Sequence, residues 1–82
     1  MGGGEAHKPF RVFGEYTKEF SFRVQSHGML FNLYQTRGGA RGQATMFVNQ
    51  FRAGGSGQMM YSALRIEELI DGVWTEIERR EV

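Results

Sequence analysis

The residues best suited to chemistry are two arginines set among glycines. Residues 34–47 read YQTRGGARGQATMF, with Arg37 and Arg41 beside Gly38, Gly39 and Gly42 and apolar sequence on either side. Glycines let successive backbone N–H groups turn inward as an anion-binding nest, and arginine adds charge-assisted bonds to a phosphate. The stretch is not a P-loop, because G-x-x-x-x-G-K-[ST] is absent, and it does not match G-x-G-x-x-G either. Two readings of residues 36–43 therefore stand together. One is an Arg/Gly-rich loop that grips an anion. The other is a hairpin loop that uses glycine to turn and arginine to stay soluble.

Charge distribution bears on the choice. The net charge of +1 conceals a stretch from Phe20 to Ile66 with no acidic residue, holding Arg23, Arg37, Arg41, Arg52 and Arg65. Such asymmetry points to an anionic partner, and arginine's planar fork suits phosphate and stacks on bases. The acids gather elsewhere: Glu5, Glu15 and Glu19 before the stretch, then Glu67, Glu68, Asp71, Glu76, Glu78 and Glu81. Folding could also set each arginine beside one of these acids, so that the two sets neutralise one another.

Catalytic and metal chemistry find little to work with. There are no cysteines, hence no disulfide and no thiolate metal site, and the two histidines, His7 and His27, lack ligand spacing to carboxylates. The one aspartate, Asp71, is explained by a turn, and Glu15, Glu19, Glu67 and Glu76 read as surface charge. The expectation is a non-enzymatic protein with no catalytic residues, no metal and no cofactor.

At 82 residues the chain is one small domain, expected at 9–82 behind a flexible segment at 1–8. MGGGEAHKPF has no apolar signal-peptide core, and no run approaches the roughly 18 apolar residues of a membrane span. A cytoplasmic protein without membrane contact is expected.

Alternation of apolar and polar residues predicts strands. Phe10 and Val12 begin one after Pro9, with Gly14 expected to break or bulge it. In KEFSFRVQ, Phe20, Phe22 and Val24 alternate cleanly with polar residues, so a second strand is expected there. MLFNLYQT gives a third, after a turn at Ser26-His27-Gly28, and QATMFVNQF a fourth. RAGGSGQ (52–58) reads as a loop, and its GGSG at 54–57 has the composition of a flexible linker, natural or an engineered join.

The last stretch supports two structures. Asp71-Gly72 is a strong type I′ turn signal, and a hairpin about it sets Ile70 opposite Val73, Leu69 opposite Trp74, Ile66 opposite Ile77 and Arg65 opposite Glu78. The same residues also carry helical spacing at Ile66, Leu69, Ile70, Val73 and Ile77. The preferred fold is mainly β: a small antiparallel barrel or sandwich of five to six strands ending in that hairpin. The alternative is α+β, with four strands followed by a C-terminal helix at about 62–80.

Function is expected to be binding. The preferred reading is protein–protein contact or self-assembly into a homo-oligomer, with Met59, Met60 and Tyr61 at the interface, since methionine suits adaptable apolar surfaces. The alternative is a single-stranded nucleic acid or another polyanion, held by Arg37, Arg41, Arg52 and Arg23 with bases stacked on Tyr34. Phe31, Phe47 and Phe51 flank the arginines and are further stacking candidates.

Overall fold

The computed structural model of the chain describes residues 8–54 and 59–82. Its elements, in chain order, are strand β1 (Phe10–Tyr16), helix α1 (Lys18–Val24), strand β2 (Gly28–Tyr34), helix α2 (Arg37–Arg52), and strands β3 (Tyr61–Ile70) and β4 (Val73–Glu81). The strands form one antiparallel sheet in the order β2-β1-β3-β4, and α2 lies across one face. The expected barrel or sandwich of five to six strands is therefore wrong. Four strands make a single open sheet, and two of the expected strands are helices. The GGSG stretch lies outside the described residues apart from Gly54, as does the N-terminal segment apart from Lys8.

The first correction falls on KEFSFRVQ, which is α1. Thr17 caps it, its Oγ1 accepting the Phe20 N–H at 3.2 Å, and Gln25 closes it in the left-handed region at φ 58°. β1 already pairs with β2 on one side and β3 on the other, so this segment has no central ladder to join. Only Phe20 finds an aromatic neighbour, edge-on to Tyr16 at 4.8 Å, while Phe22 stands 86% exposed.

The second correction is larger. The glycine-rich stretch and the strand expected after it together make α2, whose first residue is Arg37. Thr36 is its N-cap, accepting the Gly39 N–H at 3.0 Å. The buried stripe is Ala40, Ala44 and Val48, spaced four apart, with Phe47 and Phe51 flanking it. Glycine costs about 1 kcal/mol relative to alanine inside a helix. Packing of the alanine stripe on Val12, Leu64 and Ile66 of the sheet offsets that cost.

The C-terminal hairpin does form, and the helix at about 62–80 does not. Asp71 and Gly72 take φ of 51° and 81°, as a type I′ turn requires at both central positions. Ile70 pairs with Val73 and Leu69 with Trp74. A bulge between Ile66 and Glu67 then shifts the register, so Ile66 faces Glu78 and Arg65 faces Arg79 rather than Ile77 and Glu78. Ile77 is left to pack against the core.

Gly14 neither ends nor bulges β1 toward β2; it is buried because aromatic rings lie over it. A Cβ there would stand 2.5 Å from Phe31 Cε1 and 2.8 Å from Tyr61 Cε1. The irregularity in the β1–β2 ladder comes earlier, between Val12 and Phe13.

The face away from α2 is polar and aromatic. Glu67, only 4% exposed, accepts from Arg11 Nε at 2.6 Å and lies 3.6 Å from Arg65. The Arg11 guanidinium sits 4.4 Å from the Trp74 ring centroid and that of Arg65 4.7 Å from Phe13, both in cation–π range. Among the described residues, no helix is long and apolar enough to cross a membrane.

Candidate functional site: an apolar groove beside an uncharged edge strand

The arginines of the expected anion site are spread along the molecule. Arg37 opens α2 with its guanidinium 4.0 Å from Glu68, and Arg41, one turn later, lies 3.1 Å from Glu78. Arg52, in the last turn, donates to the Glu81 carbonyl oxygen at 2.8 Å. Arg23 lies on α1, exposed and 3.9 Å from Glu19. Two glutamates of the C-terminal hairpin, Glu68 and Glu78, thus meet two arginines of α2, while Arg52 meets a backbone carbonyl. Exposed pairs of this kind contribute under about 1 kcal/mol each, so their effect is on charge more than stability.

Residues 36–43 are not a loop. They open a helix, where Thr36 takes the N–H of Gly39 through Oγ1 and that of Ala40 through its carbonyl at 3.2 Å. Tyr34 packs against the core instead of presenting its ring. Its hydroxyl is buried without a hydrogen-bond partner among the described residues, and burial pushes its pKa up.

The apolar residues do converge. A groove of about 410 Å³ opens between β2, the C-terminal half of α2 and the start of β3, with walls of Met29, Phe31, Phe47, Phe51, Met60 and Tyr61. Four of its rings interlock. Phe51 stacks on Tyr61 at 5.2 Å and 14°, while Phe31 meets Tyr61 edge-on at 5.1 Å and Phe47 at 5.0 Å. Offset and edge-on pairs at this separation contribute about 0.5–1.5 kcal/mol beyond the area they bury, so the floor is rigid. The Tyr61 hydroxyl donates to Met29 Sδ at 3.8 Å, and burial pushes its pKa up, with the neighbouring Tyr16 adding to the shift. Among the described residues no charged side chain lines this groove.

The three residues expected at an interface take different positions. Met59 is 78% exposed, Met60 is half-buried, and Tyr61 is 7% exposed as part of the groove floor. Met60 also walls a smaller groove of about 270 Å³ with Met59, Phe20, Glu19 and Arg23, so the two grooves adjoin. Met29, 51% exposed, carries the apolar surface onto β2, whose Leu30 and Leu33 are exposed on the sheet's other face, beside Phe13 and Arg11. Met29 and Leu30 were not singled out from sequence as interface residues. The signal was present as a seven-residue strand, GMLFNLY, with no charge on either face.

A more polar cleft of about 550 Å³ lies at the C-terminal end of β1, lined by Glu15, Tyr16, Lys18, Ser21, His27 and Arg65. Arg79 clamps Glu15 with bonds of 3.0 and 2.7 Å, and these bonds hold its carboxyl below the ordinary range. Among the described residues no three histidines or acids are grouped to hold a metal.

Comparison with protein-family models, curated proteins and solved structures gave no match of any kind.

Proposed function

We propose that the chain is a non-enzymatic binding module that acts through apolar protein contacts, self-association being the simplest form. The observation that carries this reading is the uncharged groove at Met29, Phe31, Phe47, Phe51 and Met60, continued by exposed Met59. Contiguous apolar surface of this kind on a small domain marks an interaction site. Methionine at its rim suits a partner that must be accommodated by repacking.

Magnitude sets the expected strength. Fully burying an apolar side chain of this size contributes about 1.5–3 kcal/mol, while association costs about 4–15 kcal/mol in lost freedom. A few such side chains leave a weak complex, with Kd in the micromolar to millimolar range. The single-stranded nucleic-acid alternative draws less support. Arg37 and Arg41 stand near acids and Arg52 is bonded to a backbone carbonyl, so phosphate would have to displace existing partners.

The test is mass by light scattering from about 10 μM to 1 mM, with fluorescence anisotropy of a labelled single strand alongside. The expected result is a mass that rises with concentration, a rise removed by Met60→Glu, and no salt-sensitive binding of the strand. A strict monomer together with strand binding lost in Arg37→Glu plus Arg41→Glu would replace this reading with the polyanion one.

A further inference from the structure

The sheet has two edges, and they are unlike. β4 carries Glu76, Glu78, Arg79, Arg80 and Glu81 within its nine residues. Its charges are also engaged: Arg79 lies 2.7 Å from Glu81 and Arg80 3.0 Å from Glu78. Charged side chains are a standard means of keeping an edge strand from pairing with another chain. β2 has no such protection. Gly28–Tyr34 holds no charge and no proline, and Met29, Leu30 and Leu33 are 51%, 42% and 38% exposed.

Two side chains do guard parts of β2. The Leu33 N–H is taken by the side chain of the preceding residue, Asn32 Oδ1, at 2.8 Å, and the nearby bulge opposite Val12 and Phe13 disturbs the same half of the strand. The half from Gly28 to Leu30 pairs regularly with β1 through Phe13, Gly14 and Glu15; there the Ser26 hydroxyl donates to the Gly28 carbonyl at 3.1 Å, and among the described residues no side chain is bonded to the Leu30 backbone. This half, guarded only at the Gly28 carbonyl, adjoins the groove, because Met29 belongs to both.

We infer that β2 is a self-pairing edge: two copies of the chain join antiparallel through Gly28–Leu30 into one continuous eight-stranded sheet. This rests on the reading of the chain as a protein-contact module and names the occupant of that surface. Three features select a second copy. An uncharged strand meets its own image without like-charge repulsion, whereas like charges directly opposite destabilise a strand pair. A twofold interface uses the same edge of both partners and therefore closes. Pairing β2 to β4 would instead propagate without end, and the charges of β4 oppose it.

The experiment compares the full chain with three variants, using light scattering for the dimer constant and hydrogen exchange at the Leu30 amide. Leu30→Lys puts two lysines near the twofold axis, one from each copy, and is expected to weaken dimerisation tenfold or more. Asn32→Val removes the guard from the Leu33 N–H and is expected to tighten it. Val73→Lys, on the opposite edge, is expected to leave it unchanged. Leu30 exchange should slow as concentration rises in the parent and not in Leu30→Lys. A mass that rises with concentration but ignores Leu30→Lys overturns the edge pairing and leaves the protein-contact reading standing. A monomer at 1 mM, in both the parent and Asn32→Val, overturns both.

Discussion

Gly14→Ala is the most direct test of how the groove floor is built. The added Cβ would lie 2.5 Å from Phe31 Cε1 and 2.8 and 2.9 Å from two atoms of the Tyr61 ring. Carbon pairs prefer about 3.5–4.0 Å, so both rings must retreat by roughly 1 Å. Neither retreats freely, because Phe31 bears on Phe47 and Tyr61 stacks on Phe51. Overpacking of this sort costs about 1–3 kcal/mol. Alanine in a strand recovers about 0.5–1 kcal/mol over glycine through the unfolded chain, so the net loss lies between about 0 and 2.5 kcal/mol, with about 1–2 kcal/mol, the middle of that range, expected. In a domain of this size that lowers Tm by roughly 4–16 °C. Urea unfolding should show a lower midpoint at unchanged slope, and Phe31→Leu should reduce the penalty in a double-mutant cycle. Equal or greater stability of Gly14→Ala would refute the claim that ring contact fixes glycine here.

Other substitutions separate the remaining forces. Gly42→Ala places a methyl in open space on the outer side of α2 and should stabilise by about 0.5–1 kcal/mol in urea unfolding. Thr36→Ala removes the cap from Gly39 and should cost about 1 kcal/mol, read the same way. Arg11→Met leaves the buried Glu67 with only Arg65 at 3.6 Å and should destabilise by about 1–3 kcal/mol, largely restored when Glu67→Leu is added. Glu15 has a carboxyl lowered from its ordinary 4.5 by Arg79, so its contribution is present above about pH 4.5 and lost as pH falls through the lower folded value. The urea midpoint should therefore fall on the acid side, and less steeply in Arg79→Leu.

The parts of the fold that sequence revealed are those where a local rule agreed with the tertiary outcome. Asp71-Gly72 dictates its turn wherever it stands, and the uncharged run GMLFNLY could be little other than a strand. Lys18–Val24 misled because seven residues are too few to separate a period of two from 3.6, and the decision lay with neighbours already pairing on both sides of β1. α2 was hidden by its own glycines. The stripe Ala40, Ala44, Val48 was in the sequence, but the glycines beside it argued for a loop, and only the sheet surface makes the helix favourable. The bulge at Ile66–Glu67 leaves no local trace, so the hairpin register was readable near the turn and not beyond it. For the candidate site, Met60 and Tyr61 were legible as apolar residues clustered beside a loop. Their meeting with Phe31 and Phe51 was not, since it depends on α2 being a helix. The arginines carried a charge signal that the fold spends on glutamates.

The order β2-β1-β3-β4 places the first strand in the middle of the sheet, and this bears on how the chain reaches its native state. Val12 pairs with Ile66, so most of the chain must loop back before the central ladder can close. α2 does not stand by itself: a 16-residue helix opening on three glycines within six residues is marginal alone in water. It forms when the sheet offers Leu64 and Ile66 to receive it. Folding is then governed by one late, non-local closure, in the slower regime of β-rich domains. Until that closure β2 has only β1 beside it, and a two-stranded unit, marginal alone, leaves the uncharged outer edge of β2 open to the same strand of another chain at that stage of folding as well.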